Sequence, residues 1–80
     1  MVETRIAPRH RVSKPAQIEY GGDKTPCMVR DLSITGAALE LSDGSATVPP
    51  TFTLIVAEDK LKLPCRLVWR RTFRLGVAFD

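Results

Sequence analysis

No stretch of this sequence carries the three-to-four-residue spacing of apolar side chains that an amphipathic helix needs. No apolar run approaches the roughly 20 residues needed to cross a bilayer as a helix. Histidine occurs once, as His10, and cysteine twice, as Cys27 and Cys65, far apart in the chain. A zinc site needs about four ligands at recognisable spacing, so none is expected. There is no nucleophile elbow, no zincin motif and no glycine-rich phosphate loop. A triad of His10 with Ser33 and Asp31 is conceivable, but His10 lies in a basic, polar stretch with nothing to orient it, which makes it a poor general base. The expectation is a protein that is not an enzyme and uses no cofactor. Met1 to Ser13 has charge but no apolar core, unlike a secretory signal, so the cytoplasm is the default compartment. A disulfide is disfavoured there, and both thiols are expected to be buried as small hydrophobes.

What is present is a small, ordinary globular composition. Eighty residues, 44% of them hydrophobic, allow one domain. The formal net charge is +3, and it sits at one end. Residues 1–15 hold Arg5, Arg9, Arg11 and Lys14 against Glu3, while residues 16–80 balance eight basic against eight acidic residues. A neutral body with a basic arm points to a local anionic partner rather than a broad nucleic-acid face. The alternative is an arm that only aids solubility.

After Pro15 the hydrophobic pattern has period two. Ala16, Ile18 and Tyr20 share a face, then Gly21-Gly22-Asp23 reads as a turn. Cys27 and Val29 continue on a second strand that ends near Asp31. Ala37, Leu39 and Leu41 alternate with Ala38, Glu40 and Ser42. A long loop follows, from Asp43-Gly44-Ser45 to Pro49-Pro50. Phe52, Leu54 and Val56 form a fourth apolar face, and Glu58-Asp59 a turn. Leu61, Leu63, Cys65, Leu67 and Trp69 make the longest stripe, opposite Lys60, Lys62, Arg66 and Arg70; Pro64 and Val68 break the pattern. Pro64 points to an edge or bulge. Trp69 is expected inside, with a stacking role left open by nearby Arg70 and Arg71. Arg70, Arg71 and Arg74 read as a solvated hairpin end. Leu75, Val77 and Phe79 face inward last. Six strands in 80 residues predict an all-β, small six-stranded antiparallel barrel over 15–80, preceded by a basic arm over 1–14.

Two segments carry chemistry. Arg5, Arg9 and Arg11 offer guanidinium groups for phosphate and for the O6/N7 edge of guanine. Asp31-Leu32-Ser33-Ile34-Thr35-Gly36 offers a carboxylate, a hydroxyl and a glycine at fixed spacing. As a plain turn, Asp31 and Ser33 bond local amides and Gly36 supplies a positive φ. As a ligand site, the carboxylate accepts from the N1/N2 edge of guanine, and Gly36 lets the ligand approach the backbone. The two readings are compatible.

These residues resemble the PilZ domain family. Arg5-Ile6-Ala7-Pro8-Arg9 fits its RxxxR element, and Asp31-Leu32-Ser33-Ile34-Thr35-Gly36 fits its (D/N)xSxxG element. Val68-Trp69 and Gly76-Val77-Ala78-Phe79 look like its last two strands. The resemblance runs from about Arg5 to Asp80. It implies a six-stranded barrel that binds the bacterial second messenger cyclic di-GMP as a receptor or adaptor, and signals to a downstream protein. The implied ligand residues are Arg5, Arg9, Asp31, Ser33 and Gly36, with Arg11 as an auxiliary contact. Aligning on Arg11 instead would place Ala7 at the first motif position and break the motif. Many members continue into a C-terminal helix, whereas this sequence stops after its last strand, so little or no such helix is expected. The rival readings are a nucleotide-independent protein-interaction module on the same fold and a small nucleic-acid-binding barrel. The latter fits poorly with a neutral body and mostly inward aromatics. A monomer or homodimer is expected.

Overall fold

The computed structural model describes residues 10–80. Six strands run β1 (His10–Tyr20), β2 (Asp23–Leu32), β3 (Gly36–Leu41), β4 (Thr51–Val56), β5 (Leu61–Arg70) and β6 (Arg74–Phe79), with one 3-10 turn at Ala57–Asp59. They close into an antiparallel barrel in the order β1-β2-β3-β6-β5-β4. Residues 10–14, read from sequence as arm, are the opening of β1. Arg5 and Arg9 lie outside the described residues.

Local chemistry explains the connections. The β1–β2 hairpin turns at Gly21 (φ 55°) and Gly22 (φ 85°), with Tyr20 opposite Asp23. Two consecutive positive φ values suit a two-residue turn whose twist matches the strands, and glycine adopts them without strain. The loop between β3 and β4 is held at several points. The Tyr20 hydroxyl donates to the Thr47 carbonyl at 2.6 Å. Arg70 donates to the carbonyls of Ala46 (2.6 Å) and Gly44 (3.0 Å). Arg70 is therefore a strut for this loop, and the solvated-end reading does not hold for it. A solvated reading does suit Arg71 and Arg74, which are exposed.

Each strand contributes one fully buried side chain to the middle of the barrel: Ile18, Val29, Leu39, Leu54, Cys65 and Leu75. Inward side chains from alternating positions fill the interior, as expected for so small a barrel. Both cysteines are free and buried. Burial pushes the Cys27 thiol up to about 12, with neighbouring Cys65 adding to the effect, and pushes Cys65 up to about 11.

Closure is narrow. β1 and β4 pair only at Gln17–Glu19 against Thr53–Ile55. Beyond them Lys14 reaches Asp59 at 2.6 Å. That hydrogen bond holds the ammonium above its ordinary pKa, against the opposing effect of desolvation. Pro64 lies within β5 and is tolerated for a geometric reason. Its carbonyl accepts from the Asp80 amide at 3.0 Å, so its backbone polar edge faces the end of β6, past the last pair Cys65–Phe79. The missing N–H therefore faces the end of β6 and removes no bond to β4, where Pro64 stands opposite Thr53.

Three strands carry a register shift: β1 between Arg11 and Lys14, β2 between Val29 and Asp31, and β5 between Leu67 and Trp69. Those in β2 and β5 reverse the in/out alternation from that point on, whereas in β1 Val12, Ala16 and Ile18 keep one alternation and all pack on the core. In β2, Val29 points in, Arg30 and Asp31 are only partly covered, and Leu32 packs on the core. In β5, Leu67 packs on the core, while Val68 and Trp69 are both exposed. Trp69 is therefore not a core residue. The expected inward stripe ends at Leu67, because the extra residue turns the indole to the outer face.

Candidate ligand-binding face

The bulges bring five residues into one row. Arg11 stands opposite Asp31, Asp31 opposite Ala38, Ala38 opposite Gly76, and Gly76 opposite Trp69. Directly opposed residues on antiparallel strands share a face. The parallel row of Leu32, Ala37 and Val77 packs on the core, so this one lies on the other face of the sheet, where Ala38 and Gly76 are themselves covered. It runs across β1, β2, β3, β6 and β5, charged at one end and aromatic at the other. Between Asp31 and Trp69, Ala38 and Gly76 offer nothing larger than a methyl group.

Asp31 is half-buried and forms no ion pair with another described residue. Its neighbour Arg30 is committed elsewhere. Arg30 Nε donates to Glu40 at 2.7 Å, and Nη1 reaches Ser13 Oγ at 3.3 Å. The Arg30 hydrogen bond holds the Glu40 carboxyl below its ordinary pKa. A carboxylate beside a cation that is otherwise engaged keeps its acceptor capacity for another donor.

Ser33 and Gly36 shape the turn between β2 and β3. The Ser33 hydroxyl oxygen accepts from the Gly36 amide (3.2 Å) and the Thr35 amide (3.3 Å), and lies 3.1 Å from Thr35 Oγ1. The Ser33 amide donates to the Gly36 carbonyl at 2.9 Å, and the Phe79 amide donates to Thr35. Gly36 is not in the left-handed region; the positive-φ glycines are Gly21 and Gly22. The expected reason for a glycine here is replaced by a steric one. A Cβ on Gly36 would overlap the Val77 carbonyl oxygen and lie 3.2 Å from its carbon. At the tip, Ile34 is 85% exposed.

The turn lies beside the point where the arginine-bearing segment joins the barrel, since His10 stands opposite Leu32. Arg11 is exposed. Trp69 is 41% exposed and lies on Gly76, whose missing side chain leaves room for the pyrrole ring. The sequence gives Ala38 no distinguishing mark and Gly76 only a place in the last strand, and its alternation puts Trp69 on the wrong face. The available signal was Val68, an apolar residue on an otherwise polar face followed by a tryptophan, which marks an extra residue in the strand.

Among the described residues no helix is long and apolar enough to cross a membrane, and no cluster of three or more His, Cys, Asp or Glu side chains is arranged to hold a metal. No curated protein matches the chain. A family model described as the PilZ domain matches residues 3–80. With its closed six-stranded antiparallel barrel and a match over nearly its whole length, the chain belongs to the PilZ domain family, a family of cyclic di-GMP-binding adaptor domains rather than of enzymes.

Proposed function

We propose that this domain is a cyclic di-GMP receptor that signals to a partner protein. Arg5, Arg9 and Arg11 hold the phosphates and one guanine edge. Asp31 accepts from the other edge of that guanine, Ser33 and Gly36 keep the turn in shape beside it, and Trp69 stacks on the base from the far end of the row. The observation that carries this reading is the β1–β2 register. Arg11 stands opposite Asp31 and His10 opposite Leu32, so the segment that follows the first motif enters the barrel beside the second.

The chemistry is complementary. The ligand carries two phosphate charges, and the net +3 of the chain is concentrated at residues 1–15. Charge-assisted bonds from guanidinium to phosphate form as the ligand docks. Ordering the arm around the ligand costs conformational entropy and changes the surface a partner meets. Because Arg11 is exposed and charge pairs in solvent are screened, affinity falls with salt.

Calorimetric titration with cyclic di-GMP tests this. Arg9→Ala and Asp31→Ala are each expected to weaken binding tenfold or more, where a decade is about 1.4 kcal/mol. Unchanged affinity in both variants refutes the site assignment. No saturable binding by the wild type favours a nucleotide-independent interaction module on the same fold.

A further inference from the structure

We infer that Gly76 is a positioning residue for the ligand site, acting through Trp69. This rests on the receptor reading above. A Cβ built on Gly76 overlaps the Nε1 and Cε2 atoms of Trp69 and lies 2.6 Å from Cδ1. These are consecutive members of the pyrrole ring, so that half of the indole lies over the Gly76 backbone. The bulge between Leu67 and Trp69 turns the side chain outward, and the bare glycine lets it settle against β6. Gly76 is itself buried. The indole, 41% exposed, keeps one side for a ligand.

The height of the indole above the sheet decides what it can reach. Asp31 and Gly76 are two strands apart, about 10 Å at the usual interstrand spacing. Only the methyl group of Ala38 stands between them. A guanine bonded by its edge at Asp31 and stacked at Trp69 lies across Ala38. Any side chain at position 76 lifts the indole away from β6 and out of this alignment. Gly76 therefore sets a stacking contact without touching the ligand.

Trp69 is the only tryptophan, so its emission and near-ultraviolet dichroism report this one side chain. The experiment compares wild type, Gly76→Ala, Trp69→Ala and the double variant in the full chain. Gly76→Ala is expected to shift the indole signal before any ligand is added. It is expected to weaken cyclic di-GMP binding roughly fivefold or more, the lower range for loss of a base–aromatic stack. In the Trp69→Ala background the same change is expected to add nothing, because the two act as one unit. An unshifted indole signal overturns the inference, as does an equal loss of affinity in both backgrounds. If Gly76→Ala fails to fold, the double variant is expected to recover the fold, since the overlapped atoms are gone; a double variant equally unstable refutes the seat. Wild type that binds no cyclic di-GMP overturns the receptor reading and the stacking role together. Binding that is normal in wild type and unaffected by Gly76→Ala overturns only the role of Gly76.

Discussion

Replacing Gly36 by alanine separates two roles that a glycine in a binding motif can have. The new methyl group would overlap the Val77 carbonyl oxygen and lie 3.2 Å from Val77 C and 3.3 Å from Ala78 Cα. All three are backbone atoms of β6, so no side-chain rotation relieves the contact. The start of β3 must move off β6, which strains the Gly36–Ala78 pair and the Phe79-to-Thr35 hydrogen bond. Overpacking of this kind costs about 1–3 kcal/mol, and a weakened backbone hydrogen bond about 1 kcal/mol more. The sum, about 2–4 kcal/mol, corresponds to a fall in Tm of roughly 10–30 °C for a domain of this size. The assay is urea and thermal unfolding without ligand, with an unchanged m-value as the sign that the variant still folds in one step. Gly44→Ala is the control. Its methyl group meets the Thr72 and Phe73 side chains, at 2.8 Å and 3.1 Å, and these can turn aside, so its cost is expected to stay within about 1 kcal/mol. A Gly36→Ala protein as stable as wild type, yet unable to bind, would refute the argument: the glycine would then serve ligand approach rather than the β3–β6 contact.

Two further predictions concern the interior and the long loop. Arg70→Ala removes both bonds to the Gly44 and Ala46 carbonyls, and hydrogen exchange at loop amides 44–48 is expected to accelerate at a stability cost of about 1–3 kcal/mol; unchanged exchange would show that the strut is idle. Buried Cys27 and Cys65 are raised from 9.0 to about 12 and about 11, so their contribution to stability is complete below pH 9. Above pH 9 the unfolded chain ionises its thiols while the folded chain does not, and stability falls towards pH 11–12. Denaturation midpoints measured between pH 8 and 11 check the slope, which Cys27→Ala is expected to reduce, and prompt alkylation of the native protein at pH 8 would contradict the burial.

The barrel was legible because its interior obeys period two. Ile18, Val29, Leu39, Leu54, Cys65 and Leu75 each fall on the apolar face that alternation assigns, and each is buried. The Gly21-Gly22 hairpin was equally readable, since two glycines in succession suit the φ values found there. The outer face was less so. Alternation places Trp69 with Leu67 and Cys65, and it fails at the one extra residue in β5. The local roles of Ser33 and Gly36 were foreseen in part. Ser33 does bond its own turn, but Gly36 is required by the proximity of Val77, a residue about forty positions away. Such a contact depends on β3 lying beside β6, which no local pattern states. Arg70 illustrates the same limit, since its loop carbonyls come close only once the barrel has closed.

The three bulges explain why binding and folding read so differently in one sequence. A perfectly alternating strand gives each outward residue two inward neighbours, spacing its polar groups evenly along the surface. An extra residue breaks that spacing by sending two consecutive side chains outward. In β2 those are Arg30 and Asp31; Arg30 bonds to Glu40, while Asp31 stands in the row with Arg11. In β5 they are Val68 and Trp69, and the second of them settles on Gly76. Without the bulge in β2, Asp31 would share the inward face with Val29, and without that in β5, Trp69 would crowd the core beside Leu67. The outer row thus exists because these strands depart from the rule that builds the barrel. Beside each irregularity the strand still packs on the core, through Val12 in β1, Leu32 in β2 and Leu67 in β5.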